Sequence, residues 1–292
     1  MTNPIVALIQ SSVTEDKEKN IETARQLLEK AAASAVSAAA SGTAAANSPG
    51  PAIAVLPEIF NSPYSAKKFP EYAEPEGGKT WQMLSEAARE LNLFIVGGSI
   101  PERDDDGKIY NTCFIFDAGG NQIGKHRKVH LFDIDIEGGQ RFRESETLSP
   151  GSAATVFDTP YGKMGAAICY DIRFPELFRL MVLEGARIVF VPGAFNMTTG
   201  PAHWELTFRA RALDNQVYTV GAAPARDENA KYVSYANSII CSPWGDIVGR
   251  LGTEQDMLIR ELDLDQVDKL RQQLPLLSHR RTDVYNLTHG DE

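Results

Sequence analysis

Short apolar runs alternate with amphipathic segments along the whole chain, and this alternation is the feature that most restricts the fold. The run "PIVALIQ" (residues 4–10) predicts a buried strand, and the segment 17–40 carries apolar residues at helical spacing. Continuous apolar strands between amphipathic helices are typical of α/β proteins whose sheets are covered by helices. The segments 111–127 and 155–169 predict hairpins, which break a strictly parallel order. We therefore expect two mixed sheets between helical layers.

The long helix predicted over 17–40 has one apolar face and runs into an alanine-rich tract. That face consists of Ile21, Ala24, Leu27, Leu28 and Ala31. Residues 31–50 predict a helix extension followed by a surface loop, because Gly, Ser and Pro accumulate after residue 40. Residues 275–292 predict an irregular tail. Since no linker-like segment divides the sequence, we expect one catalytic domain over residues 1–292.

The charge balance argues against nucleic-acid and membrane partners. The 292 residues include 29 Lys+Arg and 39 Asp+Glu, which gives a net charge of −10, and no run of Lys and Arg forms a basic footprint. No apolar stretch reaches the ~18 residues of a membrane-spanning helix, and the N-terminus has no signal-peptide pattern. We therefore expect a small-molecule or protein partner and a cytoplasmic location.

The three cysteines, Cys113, Cys169 and Cys241, are odd in number and far apart. A disulfide framework would need an even number of cysteines at closer spacing. None of the five histidines has a metal-ligand spacing to a cysteine. The sequence therefore predicts neither disulfides nor a metal site.

Cys169 differs from the other two cysteines in its position. It ends the apolar run "MGAAIC" and precedes a predicted helix, whereas Cys113 and Cys241 lie within predicted strands. A strand-to-helix turn leaves backbone N–H groups free, which favours a thiolate and can hold an oxyanion. A free cysteine is also commonly a small buried hydrophobe, and that interpretation suits Cys113 and Cys241. For Cys169 both interpretations stay open at this point.

Two charged residues also follow predicted strands. Glu58 ends the apolar run "AIAVLPE", where a carboxylate serves either as a general base or as a strand-end ion pair or helix cap. Lys128 follows a hairpin in "GKHRKVHLFD", either within a solvated basic loop or as a buried cation for an oxyanion. A base, a cation and a thiol at separate strand ends suit attack on a carbonyl carbon.

The chain resembles the carbon–nitrogen hydrolase (nitrilase) superfamily in five motifs that occur in one order. These are "LPEIFNSPY", "KHRKVHLFD", "FRESETLSPG", "ICYDIRFPEL" and "PGAFNMTTGPAHWE". The resemblance implies a four-layer αββα sandwich that forms a homodimer through its outer helices. It implies a Glu-Lys-Cys triad, which falls on Glu58, Lys128 and Cys169. It also implies a second glutamate, Glu144, that positions the lysine and assists proton transfer, and no metal or organic cofactor.

Two further segments resemble the omega-amidase branch of that superfamily. They are "FNMTTGPAHWELTFRARALDNQVY" and "APARDENAKYVSY". This branch hydrolyses the side-chain amide of 2-oxoglutaramate or 2-oxosuccinamate to a 2-oxo dicarboxylic acid and ammonia. The alternatives are a deaminated-glutathione amidase, a broader aliphatic amidase or nitrilase, and a catalytically silent scaffold on the same fold. Ala236-Asn237-Ser238 departs from the Gly-His-Ser common in the superfamily, which leaves the contribution of that strand to substrate choice open.

A substrate of this kind has a carboxylate, which needs a cationic partner, and a keto group, which needs hydrogen-bond donors. The predicted substrate-binding residues are Arg173, Tyr64, Thr199 and Tyr170. Arg173 lies about one helical turn beyond Cys169 and can face the same pocket. Alternatively, it pairs with Asp171 or Glu176. The backbone N–H of Tyr170 is expected to hold the oxyanion together with Lys128.

Overall fold

The computed structural model describes residues 3–40, 50–135 and 141–290. The helices are α1 (Lys17–Ala40), α2 (Phe69–Tyr72), α3 (Lys79–Leu91), α4 (Pro175–Leu183), α5 (Gly200–Asn215) and α6 (Asp265–Gln273). The strands are β1 (Ile5–Gln10), β2 (Ile53–Val55), β3 (Phe94–Val96), β4 (Ile100–Arg103), β5 (Ile109–Phe116), β6 (Gln122–Arg127), β7 (Asp133–Asp135), β8 (Arg141–Arg143), β9 (Thr155–Thr159), β10 (Gly162–Ala166), β11 (Ile188–Pro192), β12 (Tyr218–Ala222), β13 (Ile239–Cys241), β14 (Ile247–Arg250) and β15 (Asp256–Glu261). Short 3-10 helices cover Glu144–Glu146 and Cys169–Arg173.

Most of the strands form two mixed sheets. The first sheet has seven strands in the order β15-β1-β2-β3-β5-β4, with β6 paired to β5. Its strands β1, β2 and β3 are parallel, and β15 and β5 run antiparallel to their neighbours. The second sheet has six strands in the order β14-β13-β12-β11-β10-β9, with a parallel centre of β10, β11 and β12. The predicted α/β class with mixed sheets is confirmed.

Strand β1 shows how the sequence divides its side chains between two apolar cores. Val6 and Leu8 belong to the core that the two sheets share, whereas Ile5, Ala7 and Ile9 pack in the core beneath α1 and α3. Successive side chains of a strand point to opposite faces, so an unbroken apolar run is buried on both sides. Helices α4 and α5 cover the outer face of the second sheet. The layer order is therefore αββα, as the superfamily resemblance implied.

The long first helix ends at Ala40, and its predicted apolar face is buried. The loop predicted to follow lies outside the described residues from 41 to 49. After α6, residues 275–290 contain turns and no further helix or strand. Across the described ranges, no helix has both the length and the apolar character that crossing a membrane requires.

Two strand ends differ from the prediction. β2 ends at Val55 and β10 ends at Ala166, so Glu58 and Cys169 each lie three residues beyond a strand and not at its last position. Pro57 has no N–H to continue the ladder of β2. Cys169 has a φ of +48°, which takes it out of strand geometry. Both side chains therefore project from turns that follow the carboxyl ends of interior strands, one in each sheet.

The turn that carries Glu58 is supported by Gly98 and Ser99, which follow β3. Ser99 donates its N–H to the Pro57 carbonyl at 3.2 Å, and its hydroxyl accepts the Ile59 N–H at 3.0 Å. Gly98 has a φ of +57°, and a Cβ at this position would overlap the carbonyl oxygen of Pro57. The glycine is required both for its backbone conformation and for this close approach.

We expect Gly98→Ala to destabilise the fold and to displace the turn that carries Glu58. The substitution adds a clash with Pro57 to the strain of a positive φ, so the free energy of unfolding should fall by more than about 2 kcal/mol. Urea unfolding and the rate of alkylation of Cys169 by iodoacetamide are the measurements. Gly77→Ala is the matched control, because Gly77 has a φ of +78° with nothing within 4 Å of the added Cβ. An equal loss of unfolding free energy in Gly98→Ala and Gly77→Ala would show that the clash with Pro57 does not contribute to the destabilisation.

Candidate active site

Glu58 is fully buried and accepts hydrogen bonds on both carboxylate oxygens. Its Oε1 accepts from Lys128 Nζ and from Asn111 Nδ2, each at 2.9 Å. Its Oε2 accepts the backbone N–H of Ala194 at 2.8 Å. Asn111 belongs to β5 of the first sheet, and Ala194 follows β11 of the second. The carboxylate is therefore fixed by elements of both sheets.

Lys128 follows β6 directly and is also fully buried. Its ammonium group donates to Glu58 Oε1 at 2.9 Å and to Glu144 Oε1 at 3.0 Å. Burial acts to lower the pKa of this ammonium, but the negative charges of Glu144 and Glu58 outweigh it and raise the pKa. An ammonium has three hydrogens. Within the described residues the two carboxylates take two of them, which leaves one for a further acceptor.

Glu144 opens the 3-10 helix after β8 and completes the charged group. Its Oε2 accepts the backbone N–H of Phe132 at 2.7 Å, and its Oε1 accepts from Lys128 and from the Tyr64 hydroxyl at 2.7 Å. Burial raises the pKa of the Glu144 carboxyl, and the nearby charge of Glu58 acts in the same direction. The structure thus places one cation between two carboxylates.

Cys169 begins the 3-10 helix after β10, and its side chain is buried beside Glu58 and Lys128. Burial raises the pKa of the thiol well above its usual range, and the charge of Glu58 raises it further, although Lys128 opposes this shift. The group is therefore a neutral thiol at neutral pH. This direction is opposite to the one expected from the turn alone, because burial and two nearby carboxylates disfavour the thiolate that the helix end and the lysine favour.

Asp171 connects the turn that carries Cys169 to the segment that carries Lys128. Its Oδ2 accepts the Ile168 N–H at 3.0 Å and lies 3.0 Å from His126 Nε2. Its Oδ1 accepts the His130 N–H at 2.9 Å and lies 2.8 Å from His130 Nδ1. Although burial acts to raise the pKa of Asp171, these hydrogen bonds lower it well below its usual range. This fully buried carboxylate fixes the turn that carries Cys169 relative to the segment that carries Lys128.

A small cavity, partly open to solvent, borders Cys169. It is lined by Phe132, Cys169, Tyr170, Arg173, Ala194, Phe195, Thr199 and Tyr232. Three of the predicted substrate-binding residues, Arg173, Thr199 and Tyr170, therefore border the same space as the thiol. The structure brings together the cysteine and a set of polar and aromatic groups.

Arg173 is half-buried, and its guanidinium contacts aromatic rings. The group lies 4.8 Å from the Phe195 ring centroid and 5.7 Å from that of Tyr170, and its Nη1 is 3.1 Å from His203 Nδ1. In the part of the chain that is described, it forms no ion pair with Asp171 or Glu176, the alternative partners considered above. Asp171 is bound by two histidines instead. A cation at the cavity wall without a carboxylate partner is suited to hold a ligand carboxylate.

The sequence profile of a known family matches most of the chain. Residues 5–272 match the carbon-nitrogen hydrolases. The chain belongs to the carbon-nitrogen hydrolase family. This finding confirms the resemblance seen in the sequence motifs.

This carbon-nitrogen hydrolase is similar to two named relatives and to a solved structure. It is 49% identical to omega-amidase NIT2-A of Xenopus laevis over 282 residues, 97% of this chain and 96% of that protein. It is 46% identical to omega-amidase NIT2 of Homo sapiens over 285 residues, 98% of each chain. The crystal structure of Nit3 of Saccharomyces cerevisiae, a member of branch 10 of the nitrilase superfamily, matches with a TM-score of 0.82 at 41% identity. That match covers 96% of this chain and 97% of that chain.

Two of the predicted substrate residues have contacts in the hydrolase that the sequence did not indicate. The Tyr64 hydroxyl lies 2.7 Å from Glu144 Oε1 and 3.3 Å from Glu58 Oε1, and Tyr64 is not among the described residues that line the cavity. Thr199 does line the cavity, but its hydroxyl donates to Asn196 Oδ1 at 3.1 Å. The Tyr64 hydroxyl therefore faces the carboxylates of Glu58 and Glu144.

Several residues of the site were missed in the sequence. They are Asn111, Asp171, Ala194 and Tyr232. Asn111 and Asp171 are polar residues inside apolar runs, which is a signal that could have identified them, since buried polar groups need partners. Ala194 contributes only its backbone N–H, and no side-chain pattern indicates that. Tyr232 lies in a polar segment and reaches the cavity only through the fold.

The other two cysteines occupy different surroundings. Cys113 lies within β5, and Cys241 is the last residue of β13; both are free and buried. Burial raises the pKa of Cys241 to about 12 and that of Cys113 still further. Among the described residues, no group of three His, Cys, Asp or Glu side chains is arranged to hold a metal ion. Cys169 is thus the thiol with a neighbouring base and cation.

Proposed function

We propose that this protein is an omega-amidase that hydrolyses the side-chain amide of 2-oxoglutaramate or 2-oxosuccinamate. The observation that carries the proposal is the Arg173 guanidinium at the wall of the cavity that borders Cys169, without a carboxylate partner in the described structure. A substrate with a carboxylate at one end and an amide at the other fits that pair of groups. The names of the two relatives, both omega-amidases, support the same substrate class.

In the first half-reaction, the Cys169 thiol attacks the amide carbon while Glu58 takes its proton. A base is needed because the thiol is neutral before attack. The oxyanion is held by the remaining hydrogen of Lys128 and by the Tyr170 N–H. That N–H donates no other hydrogen bond within the described residues. Glu58 then gives the proton to the leaving nitrogen, ammonia departs, and a thioester on Cys169 remains.

In the second half-reaction, water enters in place of ammonia. Glu58 takes one proton from the water, and the resulting hydroxide attacks the thioester carbon. The same donors hold the second oxyanion, and collapse of the intermediate expels the sulfur of Cys169, which regains a proton from Glu58. The product is the free dicarboxylic acid. In this scheme Glu144 balances the charge of Lys128 and remains a carboxylate throughout.

Substrate binding is assigned to the residues of the cavity wall. Arg173 binds the distal carboxylate, with Tyr170 and Thr199 beside it. A deaminated-glutathione amidase or a broader aliphatic amidase is the alternative, and only the broader amidase, whose substrates lack a distal carboxylate, would not need Arg173. The intact Glu58, Lys128 and Cys169 constellation disfavours a catalytically silent scaffold.

We also propose that the enzyme is a homodimer that works in the cytoplasm. Exposed apolar side chains lie on α5, in the turn before β14 and at the start of β14, namely Leu206, Leu213, Trp244 and Ile247. That turn packs on α5, because Arg209 Nε donates to the Gly245 carbonyl at 2.8 Å. Such a contiguous apolar face on an outer helix suits a second copy of the chain. Three free cysteines fit a reducing compartment.

We expect Cys169→Ala to reduce ammonia release from 2-oxoglutaramate by at least about 10⁴-fold, because the covalent intermediate can no longer form. Coupled detection of ammonia gives the rate, and circular dichroism shows whether the fold is kept. Cys241→Ala is the control and should keep its activity. A panel of 2-oxoglutaramate, deaminated glutathione and propionamide, compared by kcat/KM, tests the substrate class. Turnover that survives in Cys169→Ala would reject the nucleophile, and a preference for propionamide would reject the omega-amidase.

We expect Arg173→Lys to raise KM for 2-oxoglutaramate by about 10- to 100-fold, because a lysine cannot reproduce a bidentate contact with a carboxylate. The kcat should change less. Propionamide, which lacks the distal carboxylate, provides the internal control, and its KM should change little. An unchanged KM for 2-oxoglutaramate would remove Arg173 from the carboxylate site.

We expect light scattering to give twice the chain mass of 32.0 kDa. Trp244→Glu should shift the protein toward the monomer, because a charge in an apolar interface is costly. Val36→Glu is the control, since Val36 is 71% exposed on α1, in the opposite helical layer. A monomeric wild-type protein at micromolar concentration would contradict the dimer.

A further inference from the structure

The Tyr64 hydroxyl and the Lys128 ammonium contact the same two oxygen atoms. Lys128 Nζ lies 2.9 Å from Glu58 Oε1 and 3.0 Å from Glu144 Oε1. The Tyr64 hydroxyl lies 3.3 Å from the first of these oxygens and 2.7 Å from the second. The four polar groups therefore form a closed ring, in which each carboxylate oxygen faces both donors.

We propose that Tyr64 is a positioning residue whose hydroxyl keeps Glu144 a carboxylate and holds the two glutamates around Lys128, without contacting the substrate. The proposal deepens the reaction proposed above and rests on it for the role of Glu58. It replaces the expectation from the sequence that Tyr64 binds the substrate.

The proposal follows from the hydrogen bonds that Glu144 accepts. In the described structure this buried carboxylate has three donors, namely the Phe132 N–H, Lys128 and the Tyr64 hydroxyl. Its burial and the charge of Glu58 both favour the protonated acid, so each donor is needed to keep the group ionised. Removal of the Tyr64 hydroxyl leaves Glu144 with two donors and shifts its protonation equilibrium toward the neutral acid.

Protonation of Glu144 would impair the reaction through Lys128. With Glu144 neutral, Glu58 would be the only anion facing the ammonium, so Lys128 would be drawn toward it. Glu58 would then be a weaker base for the proton of Cys169. The titratable groups around Glu144 are Glu58, Lys128, Tyr64 and the more distant Cys169 and Tyr232.

The hydroxyl can be removed without removing the support of the ring. Tyr64 stacks on Tyr232 with a centroid distance of 4.5 Å, and it contacts Phe142 at 5.6 Å and Phe69 at 5.7 Å. Burial, Glu144 and Glu58 raise the pKa of the Tyr64 phenol, so the group remains a donor between pH 5 and 9. A phenylalanine at this position keeps the stacking and loses only the donor.

The test is the pH dependence of kcat/KM in Tyr64→Phe from pH 5 to 9. Activity needs ionised Glu144, and loss of a donor raises the pKa of that carboxyl. On acidification, the variant should therefore lose its activity at a higher pH than the wild-type enzyme does. We expect the acid limb to move up by about one pH unit, with KM within about twofold of wild type and partial recovery at high pH. Tyr161→Phe is the matched control, because it removes a hydroxyl that donates to the Pro51 carbonyl at 2.8 Å, far from Cys169. Its acid limb should not move.

Alkylation of Cys169 by iodoacetamide over the same pH range gives a second measurement that needs no substrate. It should show the same shift in Tyr64→Phe, and it separates this proposal from the proposed function. If the wild-type enzyme does not hydrolyse 2-oxoglutaramate but the alkylation profile of Tyr64→Phe is shifted, the omega-amidase proposal is rejected and the role of Tyr64 is supported. A raised KM with an unchanged pH profile would show that the hydroxyl binds substrate, and would overturn the proposal. A loss that is equal at every pH would show a purely structural role, and would overturn it as well.

Discussion

The buried ammonium of Lys128 between Glu58 and Glu144 is the interaction on which the rest of the structure depends. Moving each ion out of water costs several kcal/mol, so such a group persists only when every lone pair and proton has a partner. The fold supplies those partners from distant parts of the chain, including the Asn111 side chain and the backbone N–H groups of Phe132 and Ala194. Burial and the nearby charge of Glu58 also raise the pKa of the neighbouring Cys169 thiol.

The two sheets have to be fixed relative to each other for this group to form. Glu58 follows a strand of the first sheet, whereas Cys169 follows a strand of the second. The core between the sheets sets their spacing, and the Ala194 N–H then connects the second sheet to Glu58 at 2.8 Å. Asp171 connects the turn that carries Cys169 to the segment that carries Lys128 through His126 and His130. The apolar core and the polar site are therefore parts of one arrangement, because an error in sheet packing would separate the base from the thiol.

In the proposed reaction, a neutral thiol is the nucleophile and a preorganised carboxylate is the base. A thiolate that is present before substrate binds would react with electrophiles that are not substrates. A buried thiol is activated only when a carbonyl is placed beside it. In the same proposal, the Arg173 guanidinium at the cavity wall selects amides that carry a distal carboxylate. In this scheme reactivity belongs to Glu58, Lys128 and Cys169, and selectivity to Arg173, so the two can change independently.

The sequence by itself indicated two mixed sheets between helical layers, a buried first strand and the family, because these depend on local periodicity and on short motifs. It also indicated Glu58, Lys128 and Cys169 as chemically unusual, since charged or reactive residues at the ends of apolar runs stand out. Only the tertiary structure decided their protonation and their neighbours. The neutral state of Cys169 depends on burial beside two carboxylates, and the contacts of Tyr64 with Glu58 and Glu144 join residues that are 6 and 80 positions apart. Those properties arise from distances between strand ends, which no local pattern encodes.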